Sequence, residues 1–240
     1  MKTSRVAYLL ATVVGVVVCL SSSVGSAASL TVTSQRLTPY RTCILTATPV
    51  GTTVVSDTTV RQGTPAGNFG TVTNLTVSSA ASANQRIYLS FDLASCAPAI
   101  PASATVRGAV LRLFSTALPA VCRTVDIFRV TAAWTETVVT WNSQPFGTAI
   151  NNPATASRTD SFNVGTPAGC ENLTNTTYIT GADVTADVAA FVAGTATNRG
   201  WMLRDDVEGS ATTRTWTAAS KELGTLARAP QLIITYVAVP

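Results

Sequence analysis

The chain has 240 residues, 46% hydrophobic and 12% charged, with a formal net charge of +4 and no histidine. Without histidine, the usual Ser-His-Asp and Cys-His nucleophiles and imidazole zinc sites are ruled out. The small positive charge is spread over singly spaced residues, nearly all arginine, so there is no clustered basic face to hold nucleic acid.

Lys2 and Arg5 precede the apolar run Tyr8 to Leu20, and "SSSVGSAAS" follows. A basic start, a short apolar core and small residues make a secretory signal peptide, assigned to residues 1–28, with cleavage after Ser26, Ala27 or Ala28. Val18 stands where a lipoprotein needs a small residue before Cys19. A retained signal anchor is the alternative. No later run reaches the ~18 apolar residues of a membrane helix, so the mature chain is expected to be secreted and extracellular, with no membrane contact after cleavage.

Four cysteines then remain: Cys43, Cys96, Cys122 and Cys170. An even number in a secreted chain points to disulfides, with three possible connectivities; the expected pairing is Cys43 with Cys96 and Cys122 with Cys170. No Cys-x-x-Cys pair supports a metal site.

Residues 29–55 read as an N-terminal extension with extra strands, "SLTVTS" and "TCILTAT", both alternating with period two. Residues 56–240 read as the main domain. "VVSDTTVR" is followed by the turn-rich "QGTPAGNFGT", then by the strand "NLTVSS". In "RIYLSFDL" the side chains of Ile87, Leu89, Phe91 and Leu93 share one face. After the proline-rich "ASCAPAIPAS", Val110, Leu111 and Leu113 mark a buried strand, with "CRTVDIFRV" as its hairpin partner. "RTDSFNV", "TTYITG", "RGWMLRDD", "TRTWTAAS" and "PQLIITYV" complete a series of short strands between turns. One helix interrupts them: Val184, Val188, Phe191 and Val192 recur at helical spacing, Asp183 or Thr185 can cap the start, and Gly194 can end it. The composition and strand spacing argue for an all-β sandwich or barrel.

The ordered set Phe91-Asp92-Leu93, Val110 to Phe114, Trp134 to Asn142, Val184 to Val188, Asn198 to Leu203, Ser220-Lys221-Glu222 and Pro230 to Tyr236 resembles the DNRLRE-domain family, also grouped as carbohydrate-binding module family 96. The resemblance spans roughly Ser56 to Val237. The hexapeptide that names the family is absent, and "SLTVTSQRLTPYRTCILTATP" lies outside the pattern. The resemblance implies a jelly-roll-like β-sandwich with one short helix. It also implies a non-catalytic domain of secreted bacterial and archaeal proteins, some of which bind polysaccharide such as alginate. It marks Trp134, Glu136, Trp141, Asn142 and Glu222 as a structural signature, with Glu222 as a charged partner for Arg86.

Three chemistries are open to the residues of this chain. For sugar stacking, Arg214 and Trp216 share one parity of "TRTWTAAS", which suits carbohydrate binding if that face is exposed; the bland reading is a core tryptophan with Arg214 paired to Asp205 or Asp206. For structural calcium, Asp57, Asn68 and Asp92 offer hard oxygens, as do Asp205 to Gly209 and Glu222; no EF-hand spacing is present, and a solvated loop is the alternative. For glycoside hydrolysis, Glu136, Asp205, Asp206, Glu208 and Glu222 are the available carboxylates, against the reading that they are surface charges or arginine partners. The sequons at Asn74, Asn172 and Asn175 are read as chance in a Thr-rich chain. In "AAWTETVVTWNSQP", "WTE" reads as a turn and "TVVTW" as a strand with Trp141 and Val139 inward, a corner of the fold rather than a ligand platform. The resulting expectation is a secreted polysaccharide-binding domain with no catalytic residues. The alternative is a structural or adhesive exoprotein. Ligand identity and oligomeric state stay open.

Overall fold

A computed structural model describes residues 39–47 and 54–238; the expected signal peptide and the strand expected at Ser29–Ser34 lie outside them. Among the described residues, eleven strands form two antiparallel sheets. The smaller sheet has the order β1-β11-β5, from β1 (Tyr40–Thr46), β11 (Gln231–Val237) and β5 (Thr105–Arg112). The larger sheet runs β6-β10-β3-β4-β9-β7-β8, with β2 also paired to β4. Its strands are β2 (Val55–Arg61), β3 (Asn74–Ser79), β4 (Gln85–Phe91), β6 (Ser115–Ala117), β7 (Arg123–Arg129), β8 (Asp160–Val164), β9 (Trp201–Asp205) and β10 (Arg214–Ala219).

Alternation decides which side chains enter the sandwich. Ile87, Leu89 and Phe91 of β4 face Leu232, Ile234 and Tyr236 of β11 and Ala109 and Leu111 of β5 in one apolar cluster. The strand placed in the N-terminal extension belongs to this sandwich: β1 pairs with β11 along its whole length, and Cys43 and Leu45 are buried in the same cluster. The disulfides are Cys43–Cys96 and Cys122–Cys170, as expected.

Several local readings are corrected. β5 and β7 are not a hairpin: β5 pairs with β11 in one sheet, while β7 pairs with β8 and β9 in the other. Both strands are apolar enough to suggest neighbours, but each buries its face from an opposite side of the core. Val110 points outward at 40% exposure because Ala109 and Leu111 take the inward parity. "TTYITG" forms no strand, only a single bridge between Tyr178 and Phe114. The helix α1 (Thr185–Val192) lies against the edge of β5, where Leu111 N–H bonds Ala182 O and Val184 N–H bonds Ala109 O. Asp183 Oδ1 accepts from Thr185 N–H and Oγ1, and Gly194 leaves the helix with φ of 70°.

The larger sheet is covered on its back as well. The loop from Thr131 to Thr155 packs Trp134, Val139, Trp141 and Phe146 against Val60, Tyr88, Phe128 and Met202. The central strand β4 is therefore buried on both faces, unlike a strand with one wet side. "TVVTW" within this loop is not a strand: Val138 and Val139 N–H both bond Thr135 O, closing a turn. Among the described residues, no helix is long and apolar enough to cross a membrane.

Candidate functional site

The loop covering the sheet is held by buried charge. Arg86 of β4 is fully buried, and all its donors are matched. Its Nε and Nη2 bond Glu208 at 2.8 Å each, Nη1 bonds Gln144 Oε1 and Gly147 O, and Nη2 also bonds Ala149 O. The guanidinium stacks 4.6 Å from the Trp141 ring centroid. Glu208, not Glu222, is thus the partner of Arg86, a correction that sequence order could not make. The burial of Tyr88 pushes its hydroxyl well above the ordinary tyrosine range, and that hydroxyl donates to Gln144 Oε1.

Glu222 belongs to a second cluster. Asp57 of β2, Glu136 of the covering loop and Glu222 after β10 bring carboxylate oxygens within 4.8 Å of one another. Lys221 Nζ lies among them, bonded to Glu136 Oε1, 2.6 Å from Glu222 Oε1 and 3.8 Å from Asp57 Oδ1. Asp57 Oδ2 accepts Lys221 N–H, and Glu136 Oε1 accepts Asp57 N–H. Asp57 Oδ1 and Glu222 Oε2 are buried with no hydrogen-bond partner. Burial, then the Glu222 charge, raises the Asp57 carboxyl well above the usual range. Burial alone would lower Lys221, but hydrogen bonds to Glu136 and Glu222 outweigh it and raise the ammonium.

The glycine-rich "GTPAGNFG" builds this corner. Asn68 Nδ2 donates to Glu136 O and Val139 O, and Asn68 Oδ1 accepts Gly70 N–H. A Cβ on Gly70 would sit 2.5 Å from Glu136 O, so only glycine lets the loop approach this closely. The Asn-x-Gly spacing of Asn68 and Gly70 is the sequence sign of this backbone clamp.

The expected calcium trio is not brought together. Asp57 and Asn68 meet at Glu136, but Asp92 caps an exposed turn after β4, accepting from Ala94 N–H and Ser95 Oγ. Trp216 is 2% exposed: its ring packs edge-on at 5.3 Å from Phe162, and its Nε1 donates to Ser115 Oγ. The stacking platform expected there is therefore a core residue, because the Trp216 parity of β10 faces the smaller sheet. Arg214, half-buried, lines an open groove of about 280 Å³ with Val121 and Thr213. Asp205 and Asp206 pair with Arg123 rather than Arg214. Trp134 donates to Arg199 O, Trp141 is buried, and exposed Asn142 donates its N–H to Pro65 O. All these residues hold the covering loop.

A larger groove of about 500 Å³ went unseen in the sequence. Half-buried Phe146 and Pro153 line its apolar side; Thr131, Ser157 and Thr159 supply hydroxyls, and Arg129 and Arg158 supply cations. Their side chains are 40% and 42% exposed, held loosely by Asp187 at 3.3 Å and Asp126 at 3.4 Å. Asp187 is fixed by Thr159 Oγ1 and Trp201 Nε1, so the α1 side of the groove is rigid.

No curated protein matches the chain. The model of carbohydrate-binding module family 96 matches residues 48–236, from just after β1 to the penultimate residue of β11. That match covers well over half of the chain, so the chain belongs to carbohydrate-binding module family 96.

Proposed function

We propose that this chain is a secreted, non-catalytic domain that binds an extracellular polysaccharide in the groove between the covering loop and α1. Family membership over residues 48–236 carries the reading. The groove supports its location: an aromatic and a proline beside hydroxyls and two exposed guanidinium groups suit the alternating apolar and hydroxyl faces of a sugar. Two disulfides and the N-terminal signal pattern support secretion. The five carboxylates considered for hydrolysis are each engaged by a basic side chain: Glu136 and Glu222 by Lys221, Asp205 and Asp206 by Arg123, and Glu208 by Arg86. That engagement supports binding without turnover.

A second reading rests on one observation. Ile44, Ile233 and Val110 are cross-strand neighbours on the outer face of the smaller sheet, with Tyr40 at 68% exposure further along β1. Such an apolar row suits packing in a surface assembly.

The test is affinity electrophoresis of the chain against neutral and uronate polysaccharides, with the Arg129→Ala/Arg158→Ala double variant beside it. Retardation by one polysaccharide class, lost in the variant at unchanged melting temperature, is expected. Retardation that persists in the variant moves the site elsewhere. No retardation by any polysaccharide overturns the reading and favours the assembly face.

A further inference from the structure

We propose that Asp57, Glu136 and Glu222 form a binding site for a divalent, oxygen-preferring cation of the calcium type. Three observations converge. The carboxylate oxygens already lie within 4.8 Å of one another, from three separate elements: β2, the covering loop and the turn after β10. Asp57 is fully buried, yet its Oδ1 accepts no hydrogen bond, and Glu222 Oε2 is likewise buried and unpartnered. A buried carboxylate oxygen without a partner is costly unless something else meets it. Charge is the third. Three carboxylates face one ammonium, Lys221, which leaves two negative charges in excess when all are ionised. A dication balances that excess with Lys221 kept at the rim, where its side chain is 20% exposed and long enough to shift.

The donor set selects the ion class. Carboxylates alone, with no imidazole in the chain and all described cysteines in disulfides, favour hard cations over zinc or copper. Calcium takes six to eight oxygens with tolerant geometry, and the part-exposed mouth at Glu222 admits water for the remaining positions. Because Glu136 sits on the covering loop and Asp57 on the sheet, the ion would tie the loop to the sheet. This site is separate from the sugar groove, which none of the three carboxylates lines.

The experiment titrates calcium into the chelator-treated full chain by calorimetry, with melting temperature followed in parallel. Saturable binding in the range of extracellular modules, Kd about 10⁻⁴–10⁻³ M, with a rise in melting temperature is expected. Glu222→Gln and Asp57→Asn should each weaken binding at least tenfold, Lys221→Met should strengthen it, and Glu171→Gln, an exposed carboxylate elsewhere, should leave it unchanged. Glu222→Gln guards against misfolding, since Glu222 is only partly buried and the change keeps its shape. No heat and no melting shift up to ~10 mM calcium overturns the site, as does a full calcium response in both Asp57→Asn and Glu222→Gln. Neither result touches the polysaccharide reading, which is scored by retardation alone.

Discussion

Arg86 and Glu208 show how a single pair anchors a loop to a sheet. Burying both charges is costly, and the cost is offset only because every guanidinium donor meets an oxygen. Glu208→Gln leaves the buried cation without its counter-charge and should destabilise the fold by about 3–5 kcal/mol in urea unfolding. Tyr88, beside this pair, gives a pH signature. Its raised folded value means that the unfolded chain loses this proton first as pH climbs. The stability it contributes is intact below the ordinary tyrosine value near ~10 and is lost as pH rises towards the folded one. Through that window the unfolding free energy should fall by about 1.4 kcal/mol per pH unit more steeply in the wild type than in Tyr88→Phe. Equal slopes in alkaline unfolding curves would show that the hydroxyl is not held protonated.

The covering loop is the element on which both sites depend. It seals Tyr88, Phe128 and Met202 from water, contributes Glu136 to the carboxylate cluster and offers Phe146 to the groove. Its docking is set by backbone contacts: Asn68 holds two of its carbonyls, and Gly70 touches Glu136 O. Gly70→Ala forces Glu136 outward and should cost about 1–3 kcal/mol, with faster proteolysis between Thr131 and Thr155 as the direct readout. Cleavage patterns identical to the wild type would show that the loop docks without this contact. β1 plays the matching part on the other side. It lies outside the family match, yet it pairs with β11 and carries Cys43 of the Cys43–Cys96 bridge. It covers an edge of β11 that would otherwise be open to strand addition.

At the largest scale, the described residues form a sandwich with a third layer. Two sheets enclose the main core, and the covering loop makes a smaller core behind the larger sheet. That arrangement explains why the two aromatics of "AAWTETVVTWNSQP" are spent on the fold. Trp134 and Trp141 both pack on this small core, so they share a layer without sharing a strand. Sugar recognition, on the proposed reading, falls to the seam where this third layer meets α1, and cation binding to the seam where it meets β2.

By itself the sequence determined the all-β class, most strand positions, the helix and the family, while the disulfide pairing stayed one of three connectivities until the structure joined Cys43 to Cys96 and Cys122 to Cys170. Each follows from a local or ordered signal: period-two alternation such as Ile87, Leu89 and Phe91, helical spacing in Val184, Val188 and Phe191, and motifs in a set order. Only the tertiary structure decided which face of each strand met the core. Trp216 and Val110 each sit in an alternating strand, and alternation names two faces without saying which is wet. It also decided charge partners. Arg86 reaches Glu208, and Asp57 reaches Glu136 and Glu222, across long stretches of chain, because strands distant in sequence are neighbours in a sheet. Both sites are built from such long-range neighbours, so neither has a contiguous motif to read.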